Sequence, residues 1–141
     1  MIKVKKLYEE VPDIQVAEWA DINEKGNIIV KSGVRPIQMC NSDGTGSSLL
    51  CYKNFGADVI RFDAGKGVKN HIHAGDHILF VIKGEGFVEY HGKDSPLYPG
   101  LCYLVPGNVD HAIKATTELI LIAVGNNHRL LDSKERMELV Y

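Results

Sequence analysis

Residues 65–84 read Gly65-Lys-Gly-Val-Lys69-Asn-His71-Ile-His73-Ala-Gly-Asp-His77-Ile-Leu-Phe-Val-Ile-Lys-Gly84. His71 and His73 are two apart, and on a β-strand such positions point to the same face. Two imidazoles side by side on one sheet face can share a metal ion, and imidazole suits Zn, Fe, Ni and Cu. His77 opens the apolar run Ile78–Ile82. Leu79 and Val81 share its parity, so an inward His77 takes them inward, with Ile78 and Phe80 facing away. His111 follows Pro106-Gly-Asn108, and only folding can bring it to the others. Any one of these histidines alone reads as a half-buried core residue. His-x-His with a third histidine close behind reads as a ligand set.

Outward from this stretch, short apolar runs recur between glycines and turn residues: Ile28–Val30, Leu49–Tyr52, Val59–Phe62, Ile78–Ile82, Gly86–Tyr90, Leu101–Val105 and Leu119–Val124. They are rich in Val, Ile, Phe and Tyr, which predicts an all-β sandwich or small antiparallel barrel. A tight turn is expected at His91–Asp94, and Pro96, Pro99 and Gly100 mark a second break. Asn41–Ser48 reads as a turn or loop; its glycines lack the spacing and the lysine of a phosphate loop. Asp132-Ser-Lys-Glu135 has the form of a capping box and predicts a short C-terminal helix over 132–139.

The chain has 141 residues, which predicts a single domain over 1–141. Sixteen Lys and Arg stand against 18 Asp and Glu, a formal net charge of −2. No basic stripe is present, so nucleic acid is not an expected partner. No apolar run approaches the ~20 residues of a membrane helix, and the opening MIKVKKLYEE has no apolar signal core. Three cysteines, Cys40, Cys51 and Cys102, without Cys-x-x-Cys spacing fit free thiols in a reducing compartment. The expected location is the cytoplasm.

Two spaced patterns carry a family resemblance. Gly65-x5-His71-x-His73-x3-His77-x6-Gly84 resembles the first signature motif of the cupin superfamily, and Gly100-x5-Pro106-Gly-Asn-x2-His111 resembles the second. The 15 residues Glu85–Pro99 match the short spacing between the motifs of small microbial cupins. The resemblance implies a jelly-roll-like double-stranded β-helix with motifs at 65–84 and 100–115. It also implies a homodimer, with part of residues 1–50 as strands or an arm at its interface. By the same resemblance His71, His73, His77 and His111 are the metal ligands, holding one divalent Fe, Zn, Ni or Cu per chain, with no organic cofactor. This chain departs from the motif in having His77 where the family usually has Glu, Asn108 for Gly, and Ala115 for Asn. Four neutral ligands leave the metal its full positive charge, making it a stronger Lewis acid and a stronger attractor of anions.

Around that site, Lys69 shares the parity of His71 and either holds an anionic substrate group or sits at the rim in solvent. Tyr90 and Tyr103 are the other candidate catalytic residues; parity leaves open whether Cys102 or Tyr103 points inward. Asp76 and Asp110 precede ligand histidines and are expected to face away from the metal, as rim acceptors. Arg61 and His91 read as exposed, and His128 has no assigned role. The function this implies is a mononuclear non-haem metal enzyme, dioxygenase-like, acting on a small chelating metabolite. The alternatives are a metal-dependent isomerase or lyase of a small sugar or acid, and a non-catalytic cupin that senses a small ligand.

Overall fold

The computed structural model describes residues 4–8, 11–31 and 37–141. In chain order its strands are β1 (Val4–Tyr8), β2 (Val11–Ala17), β3 (Ala20–Ile22), β4 (Ile28–Val30), β5 (Ile37–Gln38), β6 (Thr45–Tyr52), β7 (Phe55–Phe62), β8 (Gly67–Ile72), β9 (His77–Lys83), β10 (Gly86–Tyr90), β11 (Lys93–Leu97), β12 (Cys102–Val105), β13 (His111–Ala115), β14 (Leu119–Gly125) and β15 (Glu138–Leu139). A five-stranded sheet runs β11-β10-β13-β8-β15, and a six-stranded sheet runs β12-β9-β14-β7-β6-β5. All pairings within both are antiparallel. Two further hairpins, β1-β2 and β3-β4, stand apart from these sheets.

Alternation explains the core. On β9, Leu79 and Val81 are 6% and 3% exposed, whereas Ile78 and Phe80 between them are 42% and 44% exposed. One face of the strand is therefore packed and the other is not. Phe62, Leu97, Leu119, Leu121 and Val105 join the packed set between the two sheets. A second, smaller cluster of Leu49, Val59 and Ile120 lies on the opposite face of the six-stranded sheet. Trp19 and Val30, from the β3-β4 region, pack against it. The expectation for residues 1–50 falls partly on 1–3, 9–10 and 32–36, which lie outside the described residues.

Three local expectations are corrected. The predicted helix over 132–139 is absent, and no helix occurs among the described residues. Leu131, Arg136 and Met137 are all buried, a set that no single helix face can present. The segment instead turns, with the Glu135 N–H donating to the Ser133 hydroxyl and the Arg136 N–H to the Ser133 carbonyl. It then pairs Glu138 and Leu139 with Ile72 and His71 of β8. Secondly, the loop over 41–48 ends early, because Thr45–Ser48 already belong to β6 and pair with β7. Glycine is needed at position 46 because a Cβ there would press on the Val59 carbonyl oxygen and Leu131. Thirdly, the β10-β11 turn is only His91-Gly92, since Lys93 is paired with Tyr90. Both turn residues have positive φ, 52° and 73°, the pattern of a two-residue hairpin matched to strand twist.

Candidate metal centre

His71 lies on β8, His111 opens β13, and the two are paired in register, so the sheet itself sets their rings side by side. Their centroids are 4.2 Å apart. His73 follows the end of β8, with its ring 5.0 Å from that of His111 and 5.7 Å from that of His71. One ligand atom from each of the three lies within 4.8 Å of the others, and all three residues are buried. Each ring is oriented in the same way. Nδ1 of His71 is 2.9 Å from the Lys69 carbonyl, Nδ1 of His73 is 2.8 Å from that of Gly75, and Nδ1 of His111 is 2.9 Å from that of Val109. A carbonyl can only accept, so Nδ1 carries the proton in each ring and Nε2 keeps its lone pair. This second hydrogen bond is the feature that orients metal-binding histidines.

Burial also holds the rings in the ligating form. It pushes His71 down to about 3, helped by neighbouring His111. It takes His111 down to about 4 and His77 to about 3, and it lowers His73 as well. Neutral imidazole is the form that binds metal. The donor set therefore fits a divalent transition metal such as Fe, Zn, Ni or Cu.

His77 joins this group through one neighbour. Its Nδ1 is 3.2 Å from Nε2 of His73, and the two rings are 4.2 Å apart. Nε2 of His73 is the acceptor there, so His77 donates. The opposite edge of the His77 ring lies against Gly125, where an added Cβ would collide with it. His77 thus lines the same chamber as His71, His73 and His111 but stands outside the three-atom group.

The other sequence candidates fall in different places. Lys69 is exposed although Val68 and His71 are both buried. The register explains this: Ile113 pairs with Val68 and His111 with His71, so β8 carries one extra residue opposite Ala112. That β-bulge breaks the parity on which Lys69 was placed beside His71. Tyr90 is 47% exposed and packs its ring on His91. Tyr103 points inward and Cys102 outward. The Tyr103 hydroxyl is buried without a hydrogen-bond partner, and burial pushes its pKa up. Asp76 accepts from the Gly107 N–H and from the Asn126 side chain, and Asp110 accepts from Asn70. Both tie loops together beside the histidines. Arg61 is exposed, paired with Glu118 and Asp63, and His91 is exposed in its turn.

The sequence reading missed an ionic group at the same end of the barrel. Asp58 is 1% exposed, and its Oδ2 is 3.0 Å from both His128 Nε2 and Arg136 Nη1. Burial would raise the Asp58 pKa, but the His128 hydrogen bond and the Arg136 charge outweigh it and hold the carboxyl below its usual range. Arg136, His73, His77, His111, His71 and Met137 line one small chamber of about 40 Å³. A larger groove of about 560 Å³ lies outside it, bounded by Asn41, Asn108, Lys134, Glu138 and Tyr141. His73 and Met137 line both spaces. The only signal for Asp58 in the sequence was its shared parity with Ile60 and Phe62; Arg136 and His128 had none.

The comparisons with known proteins agree with this geometry. Residues 58–125 match the family model described as Cupin domain. The fold matches an RmlC-like cupin from Shewanella frigidimarina at 26% identity, covering 69% of this chain and 86% of that one, with a TM-score of 0.61. It matches a predicted oxalate decarboxylase from Thermotoga maritima at 24% identity, covering 67% and 94%, with a TM-score of 0.60. A mutant salicylate 1,2-dioxygenase from Pseudoaminobacter salicylatoxidans matches at 18% identity, covering 64% and 28%, with a TM-score of 0.58. No curated protein sequence matches the chain. Residues 58–125 thus carry a cupin domain, and the fold around them is that of cupin structures.

Proposed function

We propose that this cupin is a mononuclear non-haem metal enzyme that takes a small chelating metabolite, with chemistry of the dioxygenase type. The observation that carries the reading is the set of three Nε2 lone pairs from His71, His73 and His111, each ring held from behind by a backbone carbonyl. A bound divalent metal would supply Lewis acidity and, if redox-active, the means of using O₂. Three protein ligands leave coordination positions for substrate.

The chain's own residues do the rest. The carbonyls of Lys69, Gly75 and Val109 keep the rings neutral and aimed. Phe62, Ile60, Leu79 and Met39 line the chamber with the histidines and exclude water from it. Lys69 and Tyr90 lie outside that lining, and the Tyr103 hydroxyl is held protonated by its burial. Dioxygenase-type chemistry is therefore favoured over the metal-dependent isomerase or lyase alternative, which needs a positioned acid and base beside the metal. Two structural neighbours carry the names of enzymes of small acids, a salicylate 1,2-dioxygenase and a predicted oxalate decarboxylase, and the second of these keeps the lyase alternative in view.

The test is elemental analysis of protein purified without chelator or histidine tag, followed by oxygen uptake after anaerobic Fe(II) loading. The expected result is near-stoichiometric metal, with O₂ consumed on addition of a diol, thiol or keto acid. Zinc or nickel with no uptake would shift the reading to Lewis-acid chemistry or ligand sensing. Failure to retain any metal would overturn it.

A further inference from the structure

Arg136 is 8% exposed, yet its hydrogen bonding is lopsided. Nη1 serves both Asp58 Oδ2, at 3.0 Å, and the Arg129 carbonyl, at 2.9 Å. Nε and Nη2 have no hydrogen-bond partner among the described residues. A guanidinium that served only to neutralise Asp58 would lay two donors across the two carboxylate oxygens. Here both contacts on Asp58 fall on Oδ2, and Oδ1 is buried without a partner. The fork is thus held by one corner with its other donors free.

The position of that fork is specific. Arg136 is the one charged side chain lining the histidine chamber; the rest of the lining is histidine or apolar. With neutral histidines, a divalent metal beside Arg136 would give the chamber a positive field that only Asp58 offsets. Buried charge on that scale calls for an anion. The space sets its size: about 40 Å³ admits a head of a few atoms and no more. The remainder of any ligand must extend past His73 and Met137 into the outer groove, whose Asn41, Asn108, Lys134 and Glu138 suit hydroxyls.

We propose that Arg136 is the anchor for the carboxylate of a small hydrophilic acid, gripping it through the donors that Asp58 leaves free while the acid's adjacent oxygen faces the three histidines. This rests on the metal-site reading above and names the substrate class of that site. Specificity would then come from the segment after β14 rather than from either histidine motif.

The experiment titrates glycolate and pyruvate, and their neutral analogues glycolamide and pyruvamide, into wild-type protein and the Arg136→Gln and Arg136→Lys variants. Binding is read by calorimetry on metal-free and Co(II)-loaded samples, with metal content measured separately. Arg136→Gln should weaken carboxylate binding roughly 10- to 100-fold, as expected for loss of a charge-assisted pair, and leave amide binding within about twofold. Arg136→Lys should recover part of the loss, since it keeps the charge without the fork. Equal weakening of acid and amide would mean a merely structural Arg136 and would overturn the proposal. So would unchanged carboxylate binding in Arg136→Gln, or no carboxylate binding by the wild type in either state. Failure to take up Co(II) would sink the metal reading alone, because the metal-free titration still tests Arg136.

Discussion

Asp58 on β7 and Arg136 in the segment before β15 meet inside the barrel, Oδ2 to Nη1 at 3.0 Å, across 78 positions of sequence. Both are at least nine-tenths buried. A buried pair of this kind is weak evidence for net stability, but removing one partner leaves the other charge stranded.

Asp58→Asn should therefore destabilise the protein by about 3–5 kcal/mol, the usual cost of breaking a buried pair. Chemical denaturation monitored by circular dichroism would measure it. A change under about 1 kcal/mol would mean that water or relaxation already screens Arg136. Because the folded Asp58 pKa lies below its unfolded value, its contribution is full above about pH 4 and is lost as pH falls further.

The histidines govern a higher pH window. Their folded values, about 3 for His71 and His77 and about 4 for His111, lie below the ~6.5 of an unfolded chain. Between those limits the unfolded state binds more protons, so metal-free stability should rise from about pH 4 to 6.5 and level off above. Thermal melts of metal-free protein across pH 4–8 would show this. A flat profile would contradict the buried, neutral state of the rings.

Metal uptake should separate the histidines. Replacing any two of His71, His73 and His111 with Ala should abolish stoichiometric metal, measured by elemental analysis. His77→Ala should keep a stoichiometric metal, because His77 lies outside the three-atom group and touches it only through His73, whose Nε2 its loss would free. His77→Glu should also hold a metal and shift preference towards Mn or Fe, as a carboxylate suits harder ions. Full occupancy in a double variant would show that the assignment is wrong.

The expected homodimer can be tested at one outer face. Phe80 pairs with Cys102 and Ile78 with Leu104 on β9 and β12, at the edge of the six-stranded sheet. Ile78, Phe80 and Leu104 are 42%, 44% and 62% exposed on its outer face. Exposed apolar side chains grouped on one face are the kind of surface that copies of a chain can share. Light scattering should give twice the chain mass for wild type and a monomer for Leu104→Glu. A monomeric wild type would remove the dimer from the account.

The sequence made the barrel and most of its candidate metal site legible because both depend on local repetition. Alternation on β9 placed Leu79 and Val81 inward without any knowledge of their partners. His71 and His73 were likewise visible as a spaced pair. What escaped notice depended on register or on distant pairing. Lys69 was left open between the site and the solvent rim because parity assumes a regular strand, and β8 carries a bulge that puts it in solvent. The terminal segment was misread because a capping box is a local signal, whereas burial of Leu131 and Met137 against the barrel is not. His128 and Arg136 became meaningful only once Asp58 stood between them.

The bulge also sets which lengths can serve. Val68 and His71 both face the interior across three positions only because two residues, Lys69 and Asn70, share the place opposite Ala112. Deleting one of them would leave Val68 and His71 two apart on a regular strand, both still inward and still opposite Ile113 and His111. A deletion in a regular stretch instead turns every side chain beyond it to the other face. In a screen of single-residue deletions along the strands, this interval should therefore stand out as the tolerant point among intolerant neighbours.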